Sequence, residues 1–291
     1  MSDTRRRLGD RRDGKLLRDI DSMHIIMPMI YINRSDNEAY ISERIDLTNI
    51  DAYLAKRNAE NPEFKFTLFH IIVAAILKVI VLRPKLNRFI ANKNMYQRND
   101  LSAAFVVKKR FEDTSEEGLA FIHASESTTI DTLREDLYKQ ITTVKKGGGD
   151  ASSDAMDILR KIPRPILKFI FMILRWLDRH GLVPQFLIET DLNYASVILS
   201  NLGSIKLRSG YHHLSNWGTA SLFVIVGETK KRPFYDDEGN VEFKNSVDLG
   251  LTIDERLADG YYYSKSIRLL KYLLEHPEEL EKPLKEEVSY E

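Results

Sequence analysis

The fold of this 291-residue chain is decided by the stretch Leu251-Thr252-Ile253-Asp254-Glu255-Arg256-Leu257-Ala258-Asp259-Gly260. The apolar residues before it predict a strand over Val241–Ile253, and the residues after it predict a helix over Gly260–Glu275. A second block, Val197-Ile198-Leu199-Ser200-Asn201-Leu202-Gly203, lies roughly fifty residues upstream, at the end of a predicted strand over Tyr194–Ser200. Two ordered blocks at this separation are a strong signal of fold.

Both blocks resemble the catalytic domain of the 2-oxo acid dehydrogenase E2 acyltransferases and, more distantly, chloramphenicol acetyltransferase. The motif of that family is Asp-His-Arg-x-x-Asp-Gly, which the first block matches except that Glu255 replaces the histidine. The second block matches the family's Ile-Ser-Asn-Leu-Gly element. The resemblance implies an α/β fold, a two-layer sandwich with a mixed sheet backed by helices. It also implies a homotrimer with its site at the subunit interface, and coenzyme A as the acyl carrier.

In that family the histidine takes a thiol proton, and the serine matched by Ser200 donates a hydrogen bond to the oxyanion. The pKa of histidine is about 6.5 and that of glutamate about 4.3, so Glu255 loses about 3 kcal/mol of driving force for proton transfer. Burial among apolar neighbours raises a carboxyl pKa and would compensate. The alternative is a structural or ligand-binding carboxylate in a protein that has lost the reaction.

The family's acid at the position of Asp259 holds the active-site loop, in some members through an N-terminal arginine, for which Arg18 is the first candidate here. The alternative for Asp259 is a turn acid that begins a helix. The resemblance places Asn201 and Gly203 in the substrate site. His212 and His213 are a third candidate group, as substrate ligands, a replacement base or an ordered loop. No metal site is predicted, and the isolated His24, His180 and His276 are expected to be peripheral.

The segment 158–179 combines six basic residues with thirteen apolar ones and is typical of an amphipathic helix. We expect it to be core or a subunit interface. A lid over an acyl pocket and a helix on an anionic membrane surface are the alternatives. By contrast Phe66–Leu82 is so apolar that it predicts a helix buried on nearly all sides.

Three regions are predicted: a basic N-terminal arm (1–15), an acyltransferase-like domain (16–280, with 145–190 as an insertion) and a charged C-terminal tail (281–291). Other expected elements are strands at Ala39–Asp46, Arg88–Tyr96, Ser102–Arg110, Leu119–Ala124 and Ser221–Glu228, helices at Thr48–Arg57 (with Thr48 as its cap), Ile130–Val144 and Ala155–His180, and a flexible segment at Lys145–Ser153.

Composition narrows the function. The chain has 43 basic and 43 acidic residues, so no overall field attracts nucleic acid. It has no cysteine, which suits a reducing compartment, and its N-terminus lacks the apolar run of a secretory signal, so a cytoplasmic location is expected. The leading function is acyl transfer between a coenzyme A thioester and an unknown acceptor. The rivals are an inactive binding or assembly protein with this fold, and a peripheral membrane protein that handles acyl groups.

Overall fold

A computed structural model describes residues 6–108, 117–145 and 159–290. Most of the predicted flexible segment, 146–153, lies outside these ranges. The strands are β1 (Gly14–Leu16), β2 (Glu38–Asp46), β3 (Arg88–Ala91), β4 (Asn94–Arg98), β5 (Ser102–Lys108), β6 (Glu117–His123), β7 (Val197–Asn201), β8 (Leu222–Val226), β9 (Lys230–Tyr235) and β10 (Val241–Asp254). The helices are α1 (Ser22–Ile30), α2 (Thr48–Ala59), α3 (Leu68–Leu82), α4 (Ile130–Lys145), α5 (Arg164–Arg179), α6 (Gln185–Thr190) and α7 (Gly260–Glu275).

The main sheet has the strand order β2-β10-β8-β7-β5-β6, with β9 paired to the first half of β10. The pairs β5–β7 and β7–β8 are parallel and the others are antiparallel. A smaller sheet has the order β1-β4-β3. The predicted mixed sheet is confirmed.

The sheet is backed on one face by helices and on the other by a loop. Alternate residues of β10, Leu249, Leu251 and Ile253, enter the main core with the buried side chains of α3 and α7. On the opposite face a smaller cluster joins the sheet to the loop after β7: Ile198, Leu214, Ala220, Phe223 and Ile225. This arrangement confirms the two-layer sandwich.

Three local expectations were wrong. The single strand predicted over Arg88–Tyr96 is a hairpin, because Asn92 and Lys93 both have left-handed backbone angles and turn the chain between β3 and β4. Thr48 does not cap α2; instead its amide and hydroxyl both donate to Asp46. The basic arm is partly built into the fold, since Arg11 is buried and donates to the Asp13 carboxylate at 2.8 Å.

The predicted C-terminal tail also begins inside the packed structure. Leu284 is buried in the main core, and its amide donates to the carbonyl of Thr128. The buried Lys78 ammonium of α3 donates to the carbonyl oxygens of Glu279 and Pro283. These contacts hold the residues up to Leu284 against α3.

Helix α5 is the outlier of the fold, because none of its residues is buried. Phe169 is 57% exposed and Phe171 43%, so this segment does not lie in the core of its own chain, and the subunit interface that was expected as the other location stays a prediction. Its C-terminal end is anchored: the Asp178 carboxylate accepts from the Tyr194 hydroxyl at 2.8 Å, and Arg11 donates to the Asp178 carbonyl. Within the described residues, no helix has the length and apolarity needed to cross a bilayer.

Candidate active site

The turn between β10 and α7 is built on a buried ion pair formed inside the motif itself. Asp254 is fully buried, and both of its carboxylate oxygens accept from Arg256, with Nε–Oδ1 at 2.8 Å and Nη2–Oδ2 at 2.6 Å. Charges removed from water need such pairing. Arg256 also donates to the carbonyl of Tyr31, the residue that ends α1, at 2.7 Å. The pair therefore fixes α1 relative to the motif turn.

Arg34 lies beside the motif turn, and nothing in the sequence indicated this position. Its guanidinium is buried, with Nε 3.7 Å from Asp254 Oδ2, and it donates to carbonyl oxygens of the loop 213–218, those of Ser215 and Gly218. Burial lowers the pKa of Arg34, an effect that Asp254 opposes. No local pattern marks this arginine, since its partners are about 180 and 220 residues away.

Asp259 begins α7. Its carboxylate accepts the backbone N–H of Tyr262 at 2.8 Å, an N-cap bond that lowers the pKa of Asp259, as does the nearby Lys85. The predicted ion pair with Arg18 is not formed. Arg18 donates to the carbonyl of Leu8 and lies 3.7 Å from the Asp10 carboxylate, because β1 directs it toward the N-terminal segment. The arginine that holds the motif turn is Arg256, with Arg34 beside it.

Glu255 projects from the turn into an open cavity of about 640 Å³. Its amide donates to the Asn37 carbonyl at 3.0 Å, while its side chain is exposed. The burial that would strengthen this carboxylate as a base is therefore not present within one chain. Cavities of this size accommodate small molecules.

The cavity lies between α1 and α7, with β2 and the end of β10 as its floor. Most of its walls are apolar, from Met23, Met27, Ala39, Ile41, Ile253, Ala258, Tyr263 and Ile267. Seven polar residues also line it: His24, Glu43, Glu255, Asp259, Ser264, Arg268 and Lys271. The motif acids that the sequence singled out, Glu255 and Asp259, thus share one cavity.

His24 enters this cavity from α1 and is a second residue whose role the sequence did not indicate. Its side chain is only 13% exposed, and its Nδ1 lies 2.6 Å from an Asp21 carboxylate oxygen. The same aspartate caps α1 by accepting the His24 amide. A histidine expected to be peripheral therefore lines the same cavity as Glu255.

Ser200 lies elsewhere in the chain. It pairs with Ile225 of β8, which pairs with Gly250 of β10, five residues before Glu255. That offset alone is about 16 Å along the strand. One chain therefore does not bring Ser200 and Glu255 together, and a shared site requires Ser200 from a neighbouring subunit.

Asn201 and Gly203 have structural roles beside Ser200. The Asn201 side chain accepts the amide of Ser204 and caps a short 3-10 turn over Leu202–Ile205. A side chain at Gly203 would place its Cβ 2.5 Å from the carbonyl oxygen of Gly227, so the close packing requires glycine. Their part in substrate binding stays a prediction.

The paired histidines lie on the loop that covers the sheet. The His212 ring stacks on Phe223, with ring centroids 4.6 Å apart, and both His212 and His213 are exposed. Neither lines the cavity with Glu255. The described part of the chain holds no group of three acidic or histidine side chains arranged as metal ligands.

Comparison with known proteins agrees with this geometry. The sequence model of the family "2-oxoacid dehydrogenases acyltransferase (catalytic domain)" matches residues 185–281, which include both blocks and α7. This chain has the acyltransferase fold of that family. A probable dihydrolipoamide acetyltransferase from Listeria monocytogenes is similar over 96% of this chain and 99% of its own, with 15% identity and a TM-score of 0.58.

Two further acyltransferase structures have the same fold. The dihydrolipoamide acetyltransferase of Azotobacter vinelandii covers 91% of this chain and 94% of its own at 14% identity, with a TM-score of 0.59. A serine, a histidine and an asparagine have been investigated in the catalytic mechanism of that enzyme. A chloramphenicol acetyltransferase covers 90% of this chain and 99% of its own at 11% identity, with a TM-score of 0.53. A search of curated protein sequences found no significant match.

Proposed function

We propose that this acyltransferase-fold protein transfers an acyl group between a coenzyme A thioester and an acceptor, at the cavity between α1 and α7. The observation that supports it most is the convergence of Glu255 and Asp259, both from the family motif, on one apolar-walled cavity of about 640 Å³. The apolar walls suit an acyl chain. Arg268 and Lys271 of α7 lie at the same cavity and suit the anionic phosphates of coenzyme A.

In this proposal the hydroxyl of Ser200 from a neighbouring subunit donates a hydrogen bond to the oxyanion, and Glu255 binds the acceptor or takes its proton. The proposal takes Ser200, Glu255 and Asp259 as the counterparts of the serine, histidine and asparagine studied in the Azotobacter enzyme. A homotrimer would supply the neighbouring serine, as the resemblance implies. Sedimentation analysis tests this, and a monomer that is active at nanomolar concentration would contradict it.

The direct test is thiol release by the purified protein from a panel of acyl-coenzyme A thioesters, with and without candidate acceptors. Turnover is expected, and it should fall about 100-fold or more in S200A, since that is the usual cost of losing one oxyanion donor. E255H restores the family's base and should raise turnover. A wild-type protein without turnover on any thioester would contradict the proposal, and full activity of E255Q would exclude Glu255 as the base.

A second candidate function is that of an acyl-handling or assembly protein at a membrane surface, in the cytoplasm as the sequence predicts. Helix α5 favours it. Its large apolar side chains are exposed: Ile166, Phe169, Phe171, Met172, Ile173 and Trp176. Four basic residues are distributed along the same helix: Arg164, Lys168, Arg175 and Arg179. Rings in the headgroup region with cations facing anionic lipid are typical of interfacial helices.

A further inference from the structure

His24 and Asp21 form an oriented imidazole–carboxylate pair in the cavity of the proposed acyl transfer. The His24 Nδ1 lies 2.6 Å from Asp21 Oδ2, a hydrogen-bond distance for a charged acceptor. A ring that donates Nδ1–H to a carboxylate has its Nε2 as the proton acceptor. No Nε2 hydrogen bond is formed within the described part of the chain. The Nε2 atom of His24 is therefore available to accept a proton.

The pair is held in place by two parts of the fold. Asp21 is the N-cap of α1, and its carboxylate accepts hydrogen bonds from both the backbone amide and the ring of His24. The backbone bond, and to a smaller extent the ring bond, lowers the pKa of Asp21. The other end of α1 is fixed by the hydrogen bond from Arg256 to the Tyr31 carbonyl. The motif turn thus holds Glu255 and the helix that bears His24 in one frame.

Glu255 alone is a poor replacement for the family's histidine. Its side chain is exposed, whereas that of His24 is largely shielded in the cavity. An imidazole has an ordinary pKa about two units above that of a glutamate and is the better acceptor of a thiol or hydroxyl proton. The chain therefore holds, at the same cavity, the residue type that its motif has lost.

We propose that His24 is the general base of the acyl transfer, oriented by Asp21, and that Glu255 stabilises the imidazolium and the bound acceptor. His24 Nε2 takes the proton of an acceptor X–H while X attacks the thioester carbonyl carbon, with the oxyanion bound by donors. The C–S bond then breaks, and the coenzyme A sulfur leaves with the proton from His24. No oxidant or reductant is needed. The inference rests on the proposed acyl transfer.

The test compares three variants with wild type in the thiol-release assay. H24Q should lose at least about 100-fold in kcat/KM, the usual contribution of a general base. H24A should regain part of that loss when imidazole is added to the buffer, which a merely structural histidine would not show. D21N keeps a good N-cap residue, so its thermal stability should match wild type while its turnover falls. The matched control is H276Q, because His276 also faces a carboxylate, Glu278 at 3.4 Å, but lies outside the cavity.

A pH profile adds a further readout. The rise of turnover with pH that a general base produces should be present in wild type and lost in H24Q. Six other ionisable residues line the same cavity: Glu43, Glu255, Asp259, Tyr263, Arg268 and Lys271. Among them, the backbone hydrogen bond from Tyr262 lowers the pKa of Asp259, and burial raises the pKa of Tyr263, so both titrate away from neutrality.

The location of His24 is tested without turnover by chemical modification. S-octyl-coenzyme A, a thioether that cannot react, should slow the carbethoxylation of His24 by diethyl pyrocarbonate about fivefold and leave His276 unchanged. Full activity of H24Q would overturn the role of His24 and leave acyl transfer standing. A wild type that is inactive on every thioester overturns acyl transfer, and equal modification of His24 with and without the thioether overturns the location of the site as well.

Discussion

Helices α3 and α5 have 15 and 16 residues and are both rich in apolar side chains, yet eleven residues of α3 are buried and none of α5 is. The difference lies in where the charges are. Helix α3 has a single charged residue, Lys78, whose ammonium is bonded to two carbonyl groups. Helix α5 has five charged residues and only partial burial. A helix that is apolar on nearly all sides, such as α3, is buried within its own chain, whereas an amphipathic helix such as α5 needs a partner for its apolar face.

The largest contrast is expected in folding stability. Leu77 of α3 is fully buried, so L77A should lower the free energy of unfolding by about 2 to 5 kcal/mol through lost burial and a cavity. F169A on α5 removes a larger side chain but should change the free energy of unfolding by less than about 0.5 kcal/mol. Urea unfolding of both variants measures the difference. Equal losses would show that Phe169 is buried in the folded subunit.

The pH dependence of stability should separate the two helices as well. Burial, with the positive charge of Arg134, lowers the pKa of His70 at the start of α3 to about 4. An unfolded histidine binds its proton near pH 6.5, so between these values protons favour the unfolded chain. Stability should therefore fall by about 3 kcal/mol as pH decreases from 7 to 4.

H70Q should flatten this region of the pH profile, and H180Q, which removes an exposed histidine at the end of α5, should leave it unchanged. Urea unfolding at half-unit pH intervals provides the measurement. An identical acid-induced loss in wild type and H70Q would assign that loss to carboxylates instead.

Helix caps provide a smaller test. Asp259 caps α7 with a 2.8 Å bond to Tyr262, whereas α5 begins at Pro163 without a side-chain cap. D259A should therefore cost about 1 kcal/mol, and D259N, which also caps, much less. A cost in D259N as large as in D259A would indicate that the charge of Asp259 matters more than its hydrogen bond.

Sequence reasoning succeeded where one short segment decides the outcome. The alternation in β2 and β10, the apolarity of α3 and the range of α7 were all legible in consecutive residues, and so was the family motif. It failed where the outcome depends on distant contacts. Arg34 and His24 meet the motif turn only after the chain has folded, and the tight Asn92-Lys93 turn lacks glycine or proline. The single-chain exposure of α5 depends on which neighbours the fold supplies.

Charge substitutions on α5 should change what the helix binds and have little effect on folding. If it lies on anionic membranes, vesicles containing phosphatidylserine should bind the protein, and K168E/R175E should weaken that binding without changing stability. Salt should weaken it too, because charges are screened beyond about 8 Å at physiological ionic strength. K139E on α4, which reverses another exposed charge, is the matched control. Vesicle binding that is unchanged by salt and by K168E/R175E would exclude α5 as the membrane contact.

The cavity between α1 and α7 is the proposed binding site for the acyl group of a coenzyme A thioester. The most direct measurement uses an acyl-coenzyme A with a photoreactive diazirine at the end of the acyl chain, followed by mass spectrometry of the labelled peptides. Labels are expected on cavity residues such as Met27 and Ile267, and they should be removed by excess unlabelled thioester and reduced in I267W, which fills the cavity. Labels confined to α5 or to other surfaces, or labels that excess thioester does not remove, would contradict this binding site.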